Sequence, residues 1–264
     1  MKQDKPLILI SNDDGITAPG IRALVAAMKP LGEIIIVAPD SPQSGMGHAV
    51  TISKPLRLEK TDIYGELTAY QCSGTPADCV KLAVDKVLHR KPDLLVSGIN
   101  HGSNSSINVL YSGTMSAAME GAIEGIPSVG FSLCNYAYDA DFSLAVSVAQ
   151  TIAKNIIQNG LPVGTLLNVN IPNVNAEAFA GLKICRQANA KWQEEFDERK
   201  DPNGRRYFWL TGKFINMDKG EDTDEWALAN GFASVVPVHF DLTAYHAMQQ
   251  LNNWNLNIAT HAQH

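Results

Sequence analysis

The feature that most constrains the fold is the alternation of short apolar runs with segments of helical periodicity. Leu7–Ser11 and Glu33–Ala38 are runs of apolar residues that suit strands buried on both faces. Between them, Pro19–Met28 carries apolar residues at helical spacing. Two buried parallel strands need such a crossover, so the chain is predicted to begin with a β-α-β unit.

The same alternation continues through the first two thirds of the chain. Helices are predicted at 76–88, 112–124 and 142–157, and further buried strands at 93–97, 128–132 and 166–169. This order of elements predicts an α/β fold with a largely parallel sheet.

The pattern changes after about residue 180. Trp192–Lys219 is rich in charged residues, aromatic residues and glycine and lacks helical periodicity, which indicates an extended hairpin arm or a long insertion. A strand is predicted at 232–238 and a short helix at 242–251. We therefore expect one domain over 1–264, with a core of about 1–185 and an arm and C-terminal segment of about 186–264. The aromatic residues of the arm suit either an interface between subunits or packing on the parent domain: Trp192, Phe196, Tyr207, Phe208 and Trp209.

Charge and hydropathy exclude some classes of function. The net charge is -6, whereas proteins that bind nucleic-acid polymers normally carry a basic patch. A small phosphate ligand is still compatible with this charge, because backbone N–H groups and a metal can hold one. No apolar run approaches the roughly 20 residues of a membrane span, and the apolar stretch near the N-terminus is too short for a signal peptide. We expect a cytoplasmic protein without membrane contact.

Two adjacent carboxylates follow the first predicted strand, in Asn12-Asp13-Asp14-Gly15. Ligands of open α/β sheets sit at the carboxyl ends of the strands. Adjacent carboxylates there are costly unless a positive charge lies beside them, and Mg²⁺ or Mn²⁺ prefers such oxygen ligands. The alternative is a solvated turn, since Asn, Asp and Gly favour turns for backbone reasons alone.

The ends of the next predicted strands add neutral oxygen ligands. Ser44 offers a hydroxyl, and the neighbouring Gly45 lets the backbone approach a ligand closely. Asn100 offers an amide oxygen suited to Mg²⁺ or Mn²⁺. His48 suits either acid–base chemistry or packing.

A further motif, Tyr111-Ser112-Gly113-Thr114, directly precedes a predicted helix. A hydroxyl of Ser112 or Thr114, together with the first free N–H groups of the helix, makes an anion site, and a plain helix cap is the alternative. With the strand ends, this gives a cation site beside an anion site, which a phosphate-ester hydrolase requires.

Several other classes of enzyme lack their motifs in this chain. No G-x-G-x-x-G follows a strand, and neither G-x-x-x-x-G-K-[ST] nor G-x-S-x-G occurs. Phosphatases that form a phospho-aspartate usually show D-x-D after the first strand, whereas the two aspartates here are adjacent.

The chain resembles the SurE (survival protein E) family of metal-dependent nucleotidases. The resemblance covers the first half closely and is weaker later, where Val236-Pro237-Val238 replaces a frequent Thr-Pro-Leu and Gln43 replaces an Arg. The motifs occur in the family's order: Ser11-Asn12-Asp13-Asp14-Gly15, Ala38-Pro39-Asp40, Ser44-Gly45, Gly74-Thr75-Pro76-Ala77-Asp78-Cys79-Val80, Ser97-Gly98-Ile99-Asn100-x-Gly102-x-Asn104 and Tyr111-Ser112-Gly113-Thr114.

The resemblance implies a Rossmann-like three-layer core with a swapped C-terminal element in a homodimer or homotetramer. It implies activity on nucleoside 5′- and 3′-monophosphates, sometimes with activity on short polyphosphate. It also implies one divalent cation per subunit, Mg²⁺ or Mn²⁺, held by Asp13, Asp14, Ser44 and Asn100.

The expected mechanism is attack of a metal-activated water on phosphorus. Asp13 and Asp14 are the candidate catalytic residues, and Asp14 is also the candidate general base, because a carboxylate beside the metal can accept the proton of the attacking water. A non-catalytic nucleotide or phosphate sensor on the same scaffold is the alternative. The residues expected around the phosphate are Gly45, Asn104, Ser112, Gly113 and Thr114.

Overall fold

The computed structural model describes residues 5–254 and 256. The rest of the predicted 1–264 domain, including 257–264 of the predicted C-terminal segment, lies outside the described residues. Eleven strands form within this part of the chain: β1 (Leu7–Ser11), β2 (Glu33–Pro39), β3 (Leu58–Thr61), β4 (Thr68–Cys72), β5 (Leu94–His101), β6 (Ser128–Leu133), β7 (Thr165–Ile171), β8 (Gly181–Ile184), β9 (Ala190–Lys200), β10 (Arg206–Asn216) and β11 (Phe232–His239).

Six α-helices accompany the strands in the same part of the chain. They are α1 (Pro19–Met28), α2 (Pro76–Leu82), α3 (Gly113–Ile123), α4 (Ser143–Asn159), α5 (Asp224–Ala229) and α6 (Tyr245–Leu251). A π-helical turn, Ala83–Val87, continues α2, and a 3-10 turn, Ser106–Leu110, precedes α3. None of the helices in the described part is both long enough and apolar enough to cross a membrane.

Nine of the strands form one sheet in the order β3-β4-β2-β1-β5-β6-β7-β11-β8. Within this sheet, the successive strands β4, β2, β1, β5, β6 and β7 run parallel to one another. β3 pairs antiparallel with β4, and β11 pairs antiparallel with β7. The predicted α/β fold with a mostly parallel sheet is confirmed. β11 enters the sheet between β7 and β8, so the sheet contains strands from both sides of the predicted core boundary near 185.

The sheet is covered by helices on both faces, as its apolar strands require. Alternate residues of β1 pack into two different cores: Ile8 and Ile10 into one, Leu7 and Leu9 into the other. Helices α1 and α4 complete the first core, and α2 and α3 complete the second. Successive side chains of a buried strand point to opposite faces of the sheet, so the sheet packs against a layer of helices on each side. This gives the three-layer architecture.

The irregular region predicted at Trp192–Lys219 contains an antiparallel hairpin of β9 and β10, which form a separate two-stranded sheet. We call it the hairpin arm. Its register pairs Trp192 with Phe214 and Phe196 with Leu210, so these four side chains share one face. Trp209 pairs with Asp197 on the other face. The prediction of an extended hairpin in this region is confirmed.

Candidate metal and phosphate site

The carboxyl ends of β1, β2 and β5 meet the start of α3 around one cavity of about 350 Å³. We call it the strand-end cavity. Parallel strands bring segments that are far apart in the sequence to one edge of a sheet, and this edge is where ligands of open α/β sheets bind. Seven of the predicted site residues line the cavity: Asp13, Asp14, Ser44, Gly45, Asn100, Asn104 and Ser112. The other two, Gly113 and Thr114, contact Asp13.

Asp13 is 5% exposed and accepts a hydrogen bond from the Thr114 hydroxyl. Its pKa is raised from 3.8 to about 6, mainly by burial and also by the nearby Asp14 carboxylate, while the hydrogen bond from Thr114 acts in the opposite direction. Among the described residues, burial and the like charge of Asp14 therefore outweigh the hydrogen bond that favours ionisation of this carboxyl. A cation beside Asp13 would reverse this effect and stabilise the carboxylate.

The pKa of Asp14 is also raised, mainly by burial, although the nearby His101 lowers it. Its Oδ2 is buried and has no hydrogen-bond partner among the described residues. A buried carboxylate oxygen without a partner is costly. This oxygen, which no described residue contacts, is therefore available to a bound ligand.

The loop after β2 is tied to the first aspartate loop and to α3. The backbone N–H of Gln43 donates to the Asp13 carbonyl over 2.8 Å, which places Ser44 at the cavity. Nε2 of His48 lies 2.9 Å from Oε2 of Glu120, which is 2% exposed on α3. Of the two alternatives for His48, the contact with Glu120 supports packing, since His48 does not line the cavity.

Glu120 is held by two partners, Lys81 and His48. Lys81 Nζ donates to its Oε1 over 2.6 Å, and His48 contacts its other oxygen. Burial opposes ionisation of this carboxyl, but the hydrogen bonds from His48 and Lys81 bring its pKa below the usual value. The cluster joins the loop of Ser44 to the helix whose start lies at the cavity.

Asn100 lies at the end of β5, after a register shift between Ser97 and Asn100 in its pairing with β6. Its Nδ2 donates to the carbonyls of His101 and Gly102 over 3.2 and 2.9 Å. These bonds fix the amide nitrogen towards the backbone and leave its oxygen for a ligand at the cavity.

The start of α3 forms the opposite wall. The Ser112 hydroxyl accepts a hydrogen bond from the Met115 N–H, so it caps the helix and also lines the cavity. Gly113 is needed here, because a Cβ at this position would lie 2.6 Å from the Cβ of Asp13. The close approach puts the positive end of the helix dipole beside the two aspartates.

Asn104 makes more contacts with the protein than the sequence indicates. Its Nδ2 donates to the Ser132 hydroxyl over 2.8 Å, and its backbone N–H donates to Asn170 Oδ1 over 2.7 Å. Asn168 Nδ2 donates to its carbonyl over 2.8 Å. Asn104 lines the cavity, and these bonds show that it also orders the loop after β5.

The donor set fits a hard divalent cation. Two carboxylates, one hydroxyl and one amide oxygen lie around the cavity, and all are ligand types of Mg²⁺ and Mn²⁺. The partnerless Oδ2 of Asp14 and the raised pKa of Asp13 are the features that such a cation would stabilise. No cluster of three or more His, Cys, Asp or Glu side chains suited to a metal is found within the described residues.

The structure also places residues at the cavity that received no role from the sequence. Both ring nitrogens of His101 are buried without partners among the described residues, and the ring packs edge-on against Phe142 at 5.1 Å. Tyr136 and Trp192 line the cavity as well. His101 lies within the motif that begins at Ser97, whereas Trp192 reaches the cavity from the hairpin arm.

Comparison with known proteins agrees with these features. The family model described as Survival protein SurE matches residues 8–194. A 5′-nucleotidase SurE from Christiangramia forsetii is 62% identical over 259 residues, covering 97% of this chain and 100% of that protein. A 5′-nucleotidase SurE from Cytophaga hutchinsonii is 63% identical over 249 residues, covering 94% and 96%. The crystal structure of the Sure protein from Aquifex aeolicus matches with a TM-score of 0.82 and 42% identity, covering 94% of this chain and 98% of that one.

The family match extends over most of the chain, and the relatives are aligned along nearly their whole length. The fold, the order of the motifs and the sequence identity all agree. This chain therefore belongs to the SurE family.

Proposed function

We propose that this chain is a metal-dependent phosphohydrolase that releases phosphate from nucleoside 5′- and 3′-monophosphates. The observation that carries the proposal is that the buried carboxylate of Asp13 contacts the start of α3, with the half-buried Asp14 beside it in the same cavity. This contact supports a cation site beside an anion site within one cavity. The relatives, each named 5′-nucleotidase SurE, support the same substrate class.

Asp13, Asp14, Ser44 and Asn100 would hold one Mg²⁺ or Mn²⁺ ion. When bound, such an ion polarises a phosphoryl oxygen and lowers the pKa of water. Asp13 and Asp14 supply the negative charge of the site, and the Thr114 hydroxyl holds Asp13 in position.

The side chains and backbone N–H groups of the chain transfer the proton and bind the phosphate. Asp14 accepts the proton of the attacking water at a carboxylate oxygen that does not hold the ion. The Ser112 hydroxyl and the N–H of Gly113 donate to the phosphoryl oxygens, and the helix dipole favours the negative charge there. Gly45 and Asn104 complete the wall of the cavity around the phosphate.

The test is phosphate release from AMP, 3′-AMP and GMP, measured with Mg²⁺ or Mn²⁺ and then with excess EDTA. We expect release that EDTA abolishes and that added metal restores. A folded protein that binds AMP but releases no phosphate with either metal would be a sensor instead.

A further inference from the structure

A second cavity, of about 560 Å³, adjoins the strand-end cavity, and we call it the hairpin cavity. Gly45, Tyr111 and Trp192 line both cavities. The hairpin cavity therefore lies directly beside the expected position of the phosphate. Its volume lies within the usual range for pockets that bind small ligands.

We propose that the hairpin cavity binds the base of the nucleoside monophosphate, with the Trp192 ring as the stacking platform. This inference rests on the proposed function and extends it, because it assigns substrate selectivity to the hairpin arm. A phosphate group at the start of α3 leaves the rest of the nucleotide to extend past Tyr111 and Trp192.

Trp192 is positioned firmly enough to serve as a platform. Its Nε1 donates to Asn108 Oδ1 over 2.8 Å, which ties the arm to the turn before α3. The ring of Phe214 packs against it with centroids 5.5 Å apart and an interplanar angle of 63°. Trp192 still exposes 41% of its surface. An aromatic ring that is held at its edges and open at the cavity loses little entropy when a base stacks on it.

The remaining walls of the hairpin cavity suit a base with its sugar. Leu210 contributes apolar surface, and Gly212 adds no side chain that would fill the space. The Glu194 carboxylate also lines it, and as an acceptor it suits the amino and hydroxyl donors of a nucleoside. A carboxylate there disfavours a second phosphate group, so the nucleotide is expected to bind with its base, and not its phosphate, in this cavity.

Tyr136 offers a competing location for the base. It is 78% exposed, lines the strand-end cavity and packs over Gly102. It does not line the hairpin cavity. A base on Tyr136 would leave Trp192 without a role in binding, so substitutions at the two positions distinguish the two locations.

The first experiment compares AMP with ribose 5-phosphate, which carries the same phosphate and sugar but no base. For Trp192→Leu, we expect the ratio of kcat/KM for AMP to kcat/KM for ribose 5-phosphate to fall about tenfold, the effect of one lost stacking contact. Trp192→Phe keeps an aromatic ring and should restore most of the ratio. Trp209→Leu is the matched control, because Trp209 lies on the opposite face of the same hairpin and does not line the cavity.

Leu210→Asp tests the cavity from its other wall. Leu210 is 61% exposed, so its replacement does not remove a buried core residue. The new charge beside Glu194 should lower the same ratio about tenfold. An unchanged ratio in both Trp192→Leu and Leu210→Asp, or a fall caused by Tyr136→Leu alone, would overturn the proposal.

Adenosine binding gives a readout that does not depend on catalysis. Calorimetry without metal should show adenosine binding that weakens about tenfold in Trp192→Leu and persists in Trp209→Leu. Equal adenosine affinity in these two variants would contradict the base site. Adenosine binding through Trp192 without phosphate release from AMP would overturn the proposed function and leave the base site standing.

Discussion

At the scale of single residues, the two aspartates are close neighbours that differ in their contacts. Asp13 is hydrogen-bonded by Thr114, whereas one oxygen of Asp14 has no partner within the described residues. Asp13 therefore suits the fixed part of a metal site, and Asp14 suits the part that exchanges a proton. Their raised pKa values have the same main cause, which is burial.

Asp14→Asn is expected to lower phosphate release by at least about 100-fold, the usual effect of losing a general base. The variant should remain folded, because it removes a buried charge and keeps the volume of the side chain. Phosphate release from AMP at saturating metal and thermal unfolding are the two measurements. Asp40→Asn is the matched control, since Asp40 is an exposed aspartate just after β2 and does not line the cavity. Near-normal turnover of Asp14→Asn would remove Asp14 from the mechanism.

The raised pKa of Asp13 predicts how the free energy of unfolding depends on pH in the absence of metal. Its pKa is about 6 in the folded chain against a usual value of 3.8, so the folded protein binds this proton more tightly than the unfolded chain. The free energy of unfolding should therefore fall as the pH rises from about 4 to about 6, and this loss amounts to about 3 kcal/mol.

The experiment is chemical unfolding in EDTA at about pH 4 and about pH 7, for the wild type and for Asp13→Asn. The stability of the variant relative to the wild type should increase between the two pH values, because asparagine carries no charge to bury. Added Mg²⁺ should stabilise the wild type at about pH 7 more than the variant. A constant difference across the pH range would contradict the burial of this charge.

The positions of Asp13, Asp14 and Asn100 could be anticipated from the sequence, because a parallel sheet brings the ends of its strands together whatever their side chains are. The positions of Trp192 and Glu120 at the site could not be anticipated in this way. Trp192 bonds to Asn108, 84 residues away, and Glu120 contacts His48, 72 residues away. No local pattern in the sequence encodes such contacts, since they depend on how the arm and α3 pack after folding.

At the scale of elements, α3 connects the two halves of the site. Its start lies against Asp13, and Glu120 further along it binds His48 from the loop of Ser44. One helix therefore fixes the position of the anion site and of one expected metal ligand.

His48→Ala is expected to weaken metal binding about tenfold or more, the usual effect of losing a group that supports a ligand. Glu120 keeps its bond with Lys81 in this variant, so the buried charge retains a partner. The measurement is a Mn²⁺ titration by calorimetry. Lys81→Ala is the control, because it removes the other partner of Glu120 without releasing the loop. Equal metal affinity in His48→Ala and the wild type would mean that the contact does not position Ser44.

Most elements follow the periodicity of the sequence, and the exceptions have physical reasons. Helices α1 and α4 begin within one residue of the predicted starts, because long amphipathic segments are unambiguous. The predicted helix 76–88 includes a π-helical turn at its end, which apolar spacing does not reveal. β8 and α5 contain four and six residues, too few for a period to be evident.

At the scale of the whole molecule, the hairpin arm carries apolar surface that the described chain does not cover. Phe196 and Phe208 share one face, do not line the hairpin cavity, and are 65% and 53% exposed. Of the two alternatives for the arm, this exposure favours an interface between subunits over packing on the parent domain. We propose that a second copy of the chain covers this face, consistent with the homodimer or homotetramer that the family resemblance implies.

The double variant Phe196→Lys and Phe208→Lys should convert the assembly to monomers, because two buried charges without partners oppose association. Sedimentation velocity measures the change, and circular dichroism checks the fold. Trp209→Lys, on the other face of the arm, is the control. A wild type that sediments as a monomer would contradict the proposed assembly.

The order of the strands has a consequence for synthesis. β11 joins the sheet beside β7, although the whole hairpin arm lies between them in the chain. On the ribosome, β7 emerges long before its antiparallel partner and presents an unpaired edge of mostly buried residues during that interval. The nascent chain therefore passes through a stage in which every residue expected to bind metal has been made but one sheet edge is still unpaired. That exposed edge is the surface that a chaperone would bind.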